Sequence, residues 1–169
     1  MSKTADPTCL QAPSHQEVSA DPKKYCEAFM MQYANRYYMY FHALIPFRPV
    51  NPKTRLSGVL TQEEREEFAQ VMLGDVISAV RRTGCTATLL CTSKYECRDA
   101  LVAIRREGLN EAINWALPQF HCPALIIMSD LPMVTPGSLQ RVVSTKADMA
   151  IVPGLGGGTN ILFIKNPEI

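Results

Sequence analysis

The segment that decides the fold is Ala124–Pro132, with the sequence ALIIMSDLP. Its first five residues form an uninterrupted apolar run, which is typical of a strand that is covered on both faces. The run ends at Ser129-Asp130, and Pro132 restricts the backbone to a turn. Open α/β sheets bind their ligands at the carboxyl ends of the strands. The segment therefore predicts a central strand of an α/β protein, with the Asp130 carboxylate at the functional edge of the sheet.

Predicted strands and helices alternate along the rest of the chain. Phe41–Phe47 predicts a short buried strand, whereas Leu101–Ile104 fits a strand or a helix equally well by periodicity. This alternation implies βαβ units and a mostly parallel sheet. The remaining predicted strands are Thr86–Thr92, Met149–Val152 and Ile161–Ile164, and the shorter predicted helices are Leu109–Leu117 and one that begins at Thr135-Pro136.

The longest predicted helix has clear signals at both ends. Thr61 and Glu64 have the spacing of a capping box, in which each side chain hydrogen-bonds the other residue's backbone amide. Gly84 is a typical residue at which a helix stops. The apolar stripe that should face the core consists of Phe68, Met72, Val76 and Val80.

Composition limits the function classes. The 169 residues suffice for one domain, and 47% hydrophobic with 20% charged residues is typical of a globular protein. A net charge of +1 argues against general binding of nucleic acid or acidic membranes. We find no membrane-spanning run and no secretory pattern, and the six cysteines form no C-x-x-C pair. We therefore expect a cytoplasmic protein with reduced, structural cysteines.

The chain divides into an extension, residues 1–40, and a domain, residues 41–169. Met1–Lys24 is polar with scattered prolines, which predicts a loose tail. Tyr25–Tyr40 is rich in Tyr and Met at helical spacing, which predicts a docked amphipathic helix.

Three clusters could carry chemistry. Arg48, Lys53 and Arg55 follow the first strand and could offset the charge of a triphosphate, although an exposed basic loop has the same pattern. Asp130 could hold magnesium or simply start a turn. The glycine loop Pro153–Asn160 could gather backbone amides around a phosphate, or it could be a flexible connection.

Four stretches in this order resemble the archaeal 2-phospho-L-lactate guanylyltransferases, the CofC-type proteins among the molybdopterin-guanylyltransferase-like nucleotidyltransferases. They are IPFRPVNPKTRLS with LTQEEREEFAQVML, then GLNEAIN, LIIMSDLP and IVPGLGGGTNILFIKNP, and they run from about Leu44 to Pro167. The resemblance implies a Rossmann-like three-layer α/β sandwich related to nucleotide-diphospho-sugar transferases. It also implies transfer of GMP from GTP to 2-phospho-L-lactate, with Mg²⁺, in biosynthesis of the deazaflavin coenzyme F-420.

The resemblance also assigns site residues. It places Arg48, Lys53 and Arg55 in the nucleotide-phosphate loop, with Lys53, Arg55 and Asp130 catalytic, and makes Asp130 a magnesium ligand. Asn110 falls at a nucleoside contact, and the acceptor would be bound by Gly156, Gly157, Gly158, Thr159 and Asn160.

This sequence departs from the family pattern at one of these residues, at a position close to Asn110, and at its end. Family members often have Lys where this chain has Arg48, and Asp where it has Gly108. They also continue beyond Ile169, with residues that complete the acceptor and metal sites, so we expect this domain to lack its C-terminal part.

The sequence leaves several alternatives open. Phosphoenolpyruvate or another phosphorylated acid could replace 2-phospho-L-lactate as acceptor, because such acids share phosphate and carboxylate groups. The chain could instead be a nucleotide-binding module without catalysis. We expect GTP and a small phosphorylated acid as partners, and neither nucleic acid nor membrane; a homodimer is compatible with the sequence.

Overall fold

A six-stranded mixed sheet organises the part of the chain that the computed structural model describes, residues 40–120 and 122–167. Apart from Tyr40, the predicted tail and the predicted Tyr- and Met-rich helix lie outside these residues. The strands are β1 His42–Phe47, β2 Thr86–Cys91, β3 Leu101–Ile104, β4 Ala124–Ile127, β5 Met149–Pro153 and β6 Thr159–Ile164. The α-helices are α1 Gln62–Arg82, α2 Leu109–Ala116 and α3 Pro136–Val143, and short 3₁₀ turns occupy Thr54–Leu56 and Leu117–Gln119.

The strands are arranged in the order β3-β2-β1-β4-β6-β5. The first four are parallel; Leu44 of β1, for example, is in register with Thr88 on one side and Ile126 on the other. β6 runs antiparallel to both β4 and β5, because the short glycine loop between β5 and β6 cannot provide a parallel crossover of a dozen residues. The predicted mostly parallel sheet is confirmed, and the ambiguous segment Leu101–Ile104 is a strand.

Helices cover both faces of the sheet, which confirms the three-layer sandwich. On one face, α1 and α3 bury Leu73, Val76 and Leu139 against the strands. On the other face, α2 and the 3₁₀ turn after it cover a smaller core that includes Ala112 and Phe120. The central strand β4 is buried along its whole length, as its uninterrupted apolar sequence predicts. None of the helices in the described ranges combines the length and the apolarity that crossing a bilayer requires.

Helix α1 begins as predicted, but its buried face differs from the predicted stripe. The capping box is present: Glu64 N donates to Thr61 Oγ1 at 3.2 Å, and Thr61 N donates to Glu64 Oε2 at 2.8 Å. Phe68, however, is 45% exposed, so its assignment to the core was wrong. Each step of four residues rotates by about 40° around a helix, and Phe68 therefore lies on the rim of the face that centres near Ala69 and Val76.

Of the four cysteines in the described ranges, Cys85, Cys91 and Cys122 are buried. Burial raises the pKa of Cys91 to about 11. This thiol therefore stays protonated at neutral pH and packs as a small apolar side chain.

A buried histidine lies at the start of β1. His42 Nε2 and Nδ1 each lie 2.9 Å from a threonine hydroxyl, of Thr88 and Thr86 respectively. The imidazole stacks on Phe120 with 3.9 Å between the ring centroids. Burial lowers the pKa of His42 to about 3, so the ring is neutral at physiological pH.

This histidine should make stability depend on pH. In the unfolded chain it binds a proton below about pH 6.5, whereas in the folded protein it stays neutral down to about pH 3. The free energy of unfolding should therefore fall by about 1.4 kcal/mol per unit as the pH drops below 6.5. Urea unfolding between pH 7.5 and pH 5 would show a steeper loss for the wild type than for His42→Gln. Equal slopes would contradict this assignment.

Candidate active site

A cleft of about 320 Å³ opens at the carboxyl edge of the sheet. Its floor is formed where three parallel strands end, and includes Phe47, Leu90 and Met128. From β1 the chain moves outward to β2 and β3, and it then returns to β4 on the other side of β1. The cleft thus lies at the topological switch point, where open α/β sheets bind their ligands.

Lys53 and Asp130 meet in this cleft. Lys53 belongs to the loop after β1, and Asp130 follows β4; the ammonium group of Lys53 forms an ion pair with Asp130 Oδ2. The two side chains are 28% and 45% exposed. Solvent-accessible pairs of this kind contribute little to stability, so both groups can exchange partners when a charged ligand enters. Arg48 lines the same cleft.

The loop that presents Lys53 has an unusual backbone. Asn51 and Lys53 have φ values of 48° and 50°, in the left-handed region that residues other than glycine rarely adopt. The Lys53 carbonyl accepts a hydrogen bond from Leu56 N at 2.8 Å, which closes the 3₁₀ turn after it. Such a conformation persists only where surrounding contacts hold it.

The first turns of α1 supply those contacts. Arg65 is 6% exposed, and its Nη1 donates to Asn51 Oδ1 at 2.8 Å and to the Pro52 carbonyl at 2.6 Å. Glu66 Oε1 accepts a hydrogen bond from Asn51 N at 3.0 Å. This hydrogen bond lowers the pKa of Glu66. The loop is therefore fixed to α1 immediately before Lys53.

Replacing the buried arginine should loosen this loop. Arg65→Met removes both hydrogen bonds and leaves the Asn51 and Pro52 oxygens unpaired, and bonds from charged donors contribute about 1.5–3 kcal/mol each. Because two such bonds are lost, we expect the free energy of unfolding to fall by about 3–6 kcal/mol in denaturant titrations. Arg82→Met, at an exposed position of the same helix, is the matched control. If the two variants were equally stable, Arg65 would not stabilise the loop as proposed.

Sequence reasoning missed two charged residues of the cleft, Arg105 and Glu107. Arg105 directly follows β3, and its N–H donates to the Cys91 carbonyl at the end of β2 at 2.7 Å. Its guanidinium group forms an ion pair with Glu107 and lies 4.2 Å from the centroid of a Trp115 ring. A hydrogen bond from its own backbone amide, together with Arg105, lowers the pKa of Glu107. Arg105 and Glu107 come shortly after a strand, and this is the same sequence signal that identified Asp130.

Other predicted site residues lie outside the cleft. Arg55 is exposed in the 3₁₀ turn, and Asn110 is exposed in the first turn of α2, beside the cleft residue Leu109. Gly156–Thr159 is exposed at the same edge of the sheet as the cleft but does not line it. The structure thus brings Arg48, Lys53 and Asp130 together, while the roles of the others stay predictions.

The glycine loop is fixed to the strand that precedes Asp130. Met128 N donates to the Asn160 carbonyl at 3.0 Å, and within the loop Gly154 N donates to the Gly158 carbonyl at 2.7 Å. A Cβ atom on Gly154 would lie 3.0 Å from Asn160 Oδ1, which favours glycine there. These contacts give the loop a defined conformation beside the end of β4.

The donor set of the cleft fits a magnesium ion that a nucleotide helps to bind. Mg²⁺ is usually held by one or two carboxylates together with phosphate oxygens and water. Asp130 supplies one accessible carboxylate, directly beside a cation that could move to a phosphate. Among residues 40–120 and 122–167, no three His, Cys, Asp or Glu side chains cluster as a metal cage would require. Of the two described carboxylates that line the cleft, Asp130 and Glu107, Asp130 is the one beside Lys53, and its role as a magnesium ligand stays a prediction.

Sequence comparisons find close relatives. A sequence model of the family described as guanylyl transferase CofC like matches residues 41–169. The curated 2-phospho-L-lactate guanylyltransferase of Methanocorpusculum labreanum is 89% identical over 130 residues, which are 77% of this chain and 61% of the relative. That of Methanoculleus marisnigri is 68% identical over 130 residues, 77% of this chain and 60% of the relative. The chain therefore spans about three-fifths of the length of these relatives.

Structural comparisons agree on the fold. A putative nucleotide-diphospho-sugar transferase from Desulfovibrio desulfuricans G20 superposes with a TM-score of 0.65 at 15% identity, over 76% of this chain and 64% of the other. A hypothetical transferase from Thermus thermophilus gives a TM-score of 0.52 at 17% identity, over 75% and 66% of the two chains. At such low identity these matches support the Rossmann-like architecture alone.

Proposed function

The chain belongs to the family of CofC-like guanylyl transferases, and we propose from this premise that it transfers GMP from GTP to 2-phospho-L-lactate, releasing pyrophosphate. This reaction serves biosynthesis of coenzyme F-420. The proposal rests mainly on the ion pair between Lys53 and Asp130 at the topological switch point of the sheet. The acceptor is proposed from the name of the relatives, one of which is 89% identical over the shared 130 residues.

The proposed step is a direct displacement. A phosphate oxygen of the acceptor attacks the α-phosphorus of GTP and forms a new P–O bond. The bond between the α-phosphorus and the bridging oxygen breaks, and pyrophosphate leaves with the electron pair. A general base is unnecessary because a phosphate monoester, with a second pKa of about 6, is largely ionised at neutral pH.

The residues of the cleft would act by positioning and charge neutralisation. Lys53, released from Asp130, and Arg48 can each pair with phosphate oxygens of the nucleotide. Asp130 would hold Mg²⁺, which neutralises phosphate charge and fixes the geometry of the phosphates when it is bound. Arg65 fixes the backbone immediately before Lys53, so the ammonium group has only to exchange Asp130 for a phosphate oxygen when the nucleotide binds.

The acceptor would enter from the side of the glycine loop. Asn160 is hydrogen-bonded to Met128, two residues before Asp130, so this loop lies next to the proposed metal position. Gly156, Gly158 and Thr159 are exposed, and the two glycine amides and the Thr159 hydroxyl can donate to phosphate or carboxylate oxygens. Gly157 N, in contrast, already donates to the Gly154 carbonyl at 3.1 Å. Arg55 and Asn110 remain proposed nucleotide contacts that the cleft itself does not include.

Phosphorus NMR of the reaction mixture tests this proposal. GTP, Mg²⁺ and 2-phospho-L-lactate should yield pyrophosphate and a pair of coupled signals from a new diphosphate bridge. Phosphoenolpyruvate in place of 2-phospho-L-lactate tests the alternative acceptor. Bound GTP without any bridged product, for every acid tried, would instead support a nucleotide-binding module without transferase activity.

A further inference from the structure

We propose that Glu107 selects guanine, by accepting hydrogen bonds from the N1–H and the N2 amino group of the base. Glu107 is thereby a specificity-determining residue at the opposite end of the cleft from Asp130. The inference deepens the proposed function and rests on it. Arg105 and Glu107 both line the cleft, and neither has a role in the proposed binding of phosphate or metal. The inference gives both residues a role.

The position of Glu107 matches the reach of a nucleotide. Glu107 follows β3 and Lys53 follows β1, and β2 lies between these two strands. Neighbouring strands are about 4.8 Å apart, so these two loops leave the sheet roughly 10 Å from each other. A nucleotide whose phosphates contact Lys53 would extend its base along the strand ends towards β3. Both residues line one continuous cleft.

Between these two positions, the cleft presents an apolar surface suited to a flat ring. Leu90 at the end of β2 and Leu109 and Ala112 on α2 contribute to its lining. Small-molecule sites typically combine such apolar walls with a few polar groups that fix orientation. A purine packed on these side chains would direct its edge at the charged pair beyond them.

The Glu107 carboxylate is held in a defined orientation. Arg105 forms an ion pair with it, and the same guanidinium group stacks on a Trp115 ring at 4.2 Å. The Glu107 side chain is 34% exposed, so it remains accessible from the cleft. The carboxylate already accepts hydrogen bonds from Arg105 and from its own backbone amide, so of its about four acceptor positions roughly two stay open to a ligand.

The chemistry of such a group distinguishes guanine from adenine. Guanine presents two adjacent donors, N1–H and the N2 amino group, which match the two oxygens of a carboxylate. Adenine presents an unprotonated N1 at the same place, and its lone pair would face a negative charge. Sites that hydrogen-bond a substrate group discriminate strongly against analogues without it, because their own polar groups are then left unpaired.

Equilibrium binding of nucleotides tests the role without requiring turnover. GTP, ITP and ATP would be titrated, with Mg²⁺, into the 169-residue wild type and into Glu107→Gln. ITP retains N1–H but lacks the N2 amino group. The wild type should bind ITP about tenfold and ATP about a hundredfold more weakly than GTP. In Glu107→Gln the GTP affinity should fall, and the preference for GTP over ITP should disappear.

Glu111→Gln is the matched control. Glu111 is exposed in the first turn of α2 and does not line the cleft, so this variant should keep the wild-type order of affinities. An unchanged preference for GTP in Glu107→Gln, or an equal loss for all three nucleotides, would overturn the inference and leave the proposed function standing. If the wild type bound no GTP, the proposed function would fail together with the inference.

Discussion

Replacing Asp130 with Asn should lower the turnover number for GMP transfer by about a thousandfold at saturating Mg²⁺. The substitution preserves the shape of the side chain and removes the negative charge that would hold the ion. The Lys53–Asp130 pair is accessible to solvent, so its loss should change the free energy of unfolding by only about 0–1 kcal/mol. A large kinetic defect in a protein of normal stability is the expected result.

Rates of pyrophosphate release across a magnesium titration would measure this effect. Asp75→Asn is a suitable control, since Asp75 is exposed on α1 and lies outside the cleft. Should Asp130→Asn keep turnover within about tenfold of the control, the carboxylate would have no metal-binding role in the reaction.

Replacing Lys53 with Met should lower kcat/KM for GTP by about a hundredfold. Methionine retains much of the length of the side chain but removes the charge that would offset the triphosphate. Because Lys and Met face the same steric cost at a positive φ, the backbone of the loop should change little. Both kcat and the affinity for GTP should decrease, since phosphate charge is present in the bound substrate and increases on the leaving group.

Lys146→Met provides the comparison, because Lys146 is exposed in the connection between α3 and β5 and is absent from the cleft lining. Steady-state kinetics with GTP as the varied substrate would separate the two parameters. If Lys53→Met behaved like Lys146→Met, the ion pair with Asp130 would be an incidental surface contact.

Much of the fold follows from local sequence. The apolar run at Ala124–Ile127 forms a fully buried strand, and the Thr61–Glu64 capping box starts α1 where the spacing predicts. These predictions succeed because burial on both faces and end-capping each leave a signature within a few residues. The rim position of Phe68 was missed because a row of i, i+4 residues drifts around the helix.

The sequence predicted only some of the residues that form the cleft. Position after a strand identified Lys53 and Asp130, but their contact depends on β1 and β4 being neighbours, which the sequence does not state. Arg105 was missed because Leu101–Ile104 is too short for its periodicity to separate strand from helix.

Arg65 was missed for a different reason. A charged residue near the start of a helix normally faces solvent, yet Arg65 lies four residues before Ala69 and shares its buried side. Its guanidinium group is compensated by the Asn51 side chain and the Pro52 carbonyl, contacts that only the folded loop supplies.

The central claim is tested most directly by pyrophosphate release from the 169-residue chain, with GTP, Mg²⁺ and 2-phospho-L-lactate supplied together and each omitted in turn. The proposed function predicts release only when all three are present. Release that continues without 2-phospho-L-lactate would indicate hydrolysis of GTP and contradict it. The complete absence of release from folded protein that binds GTP would contradict it as well.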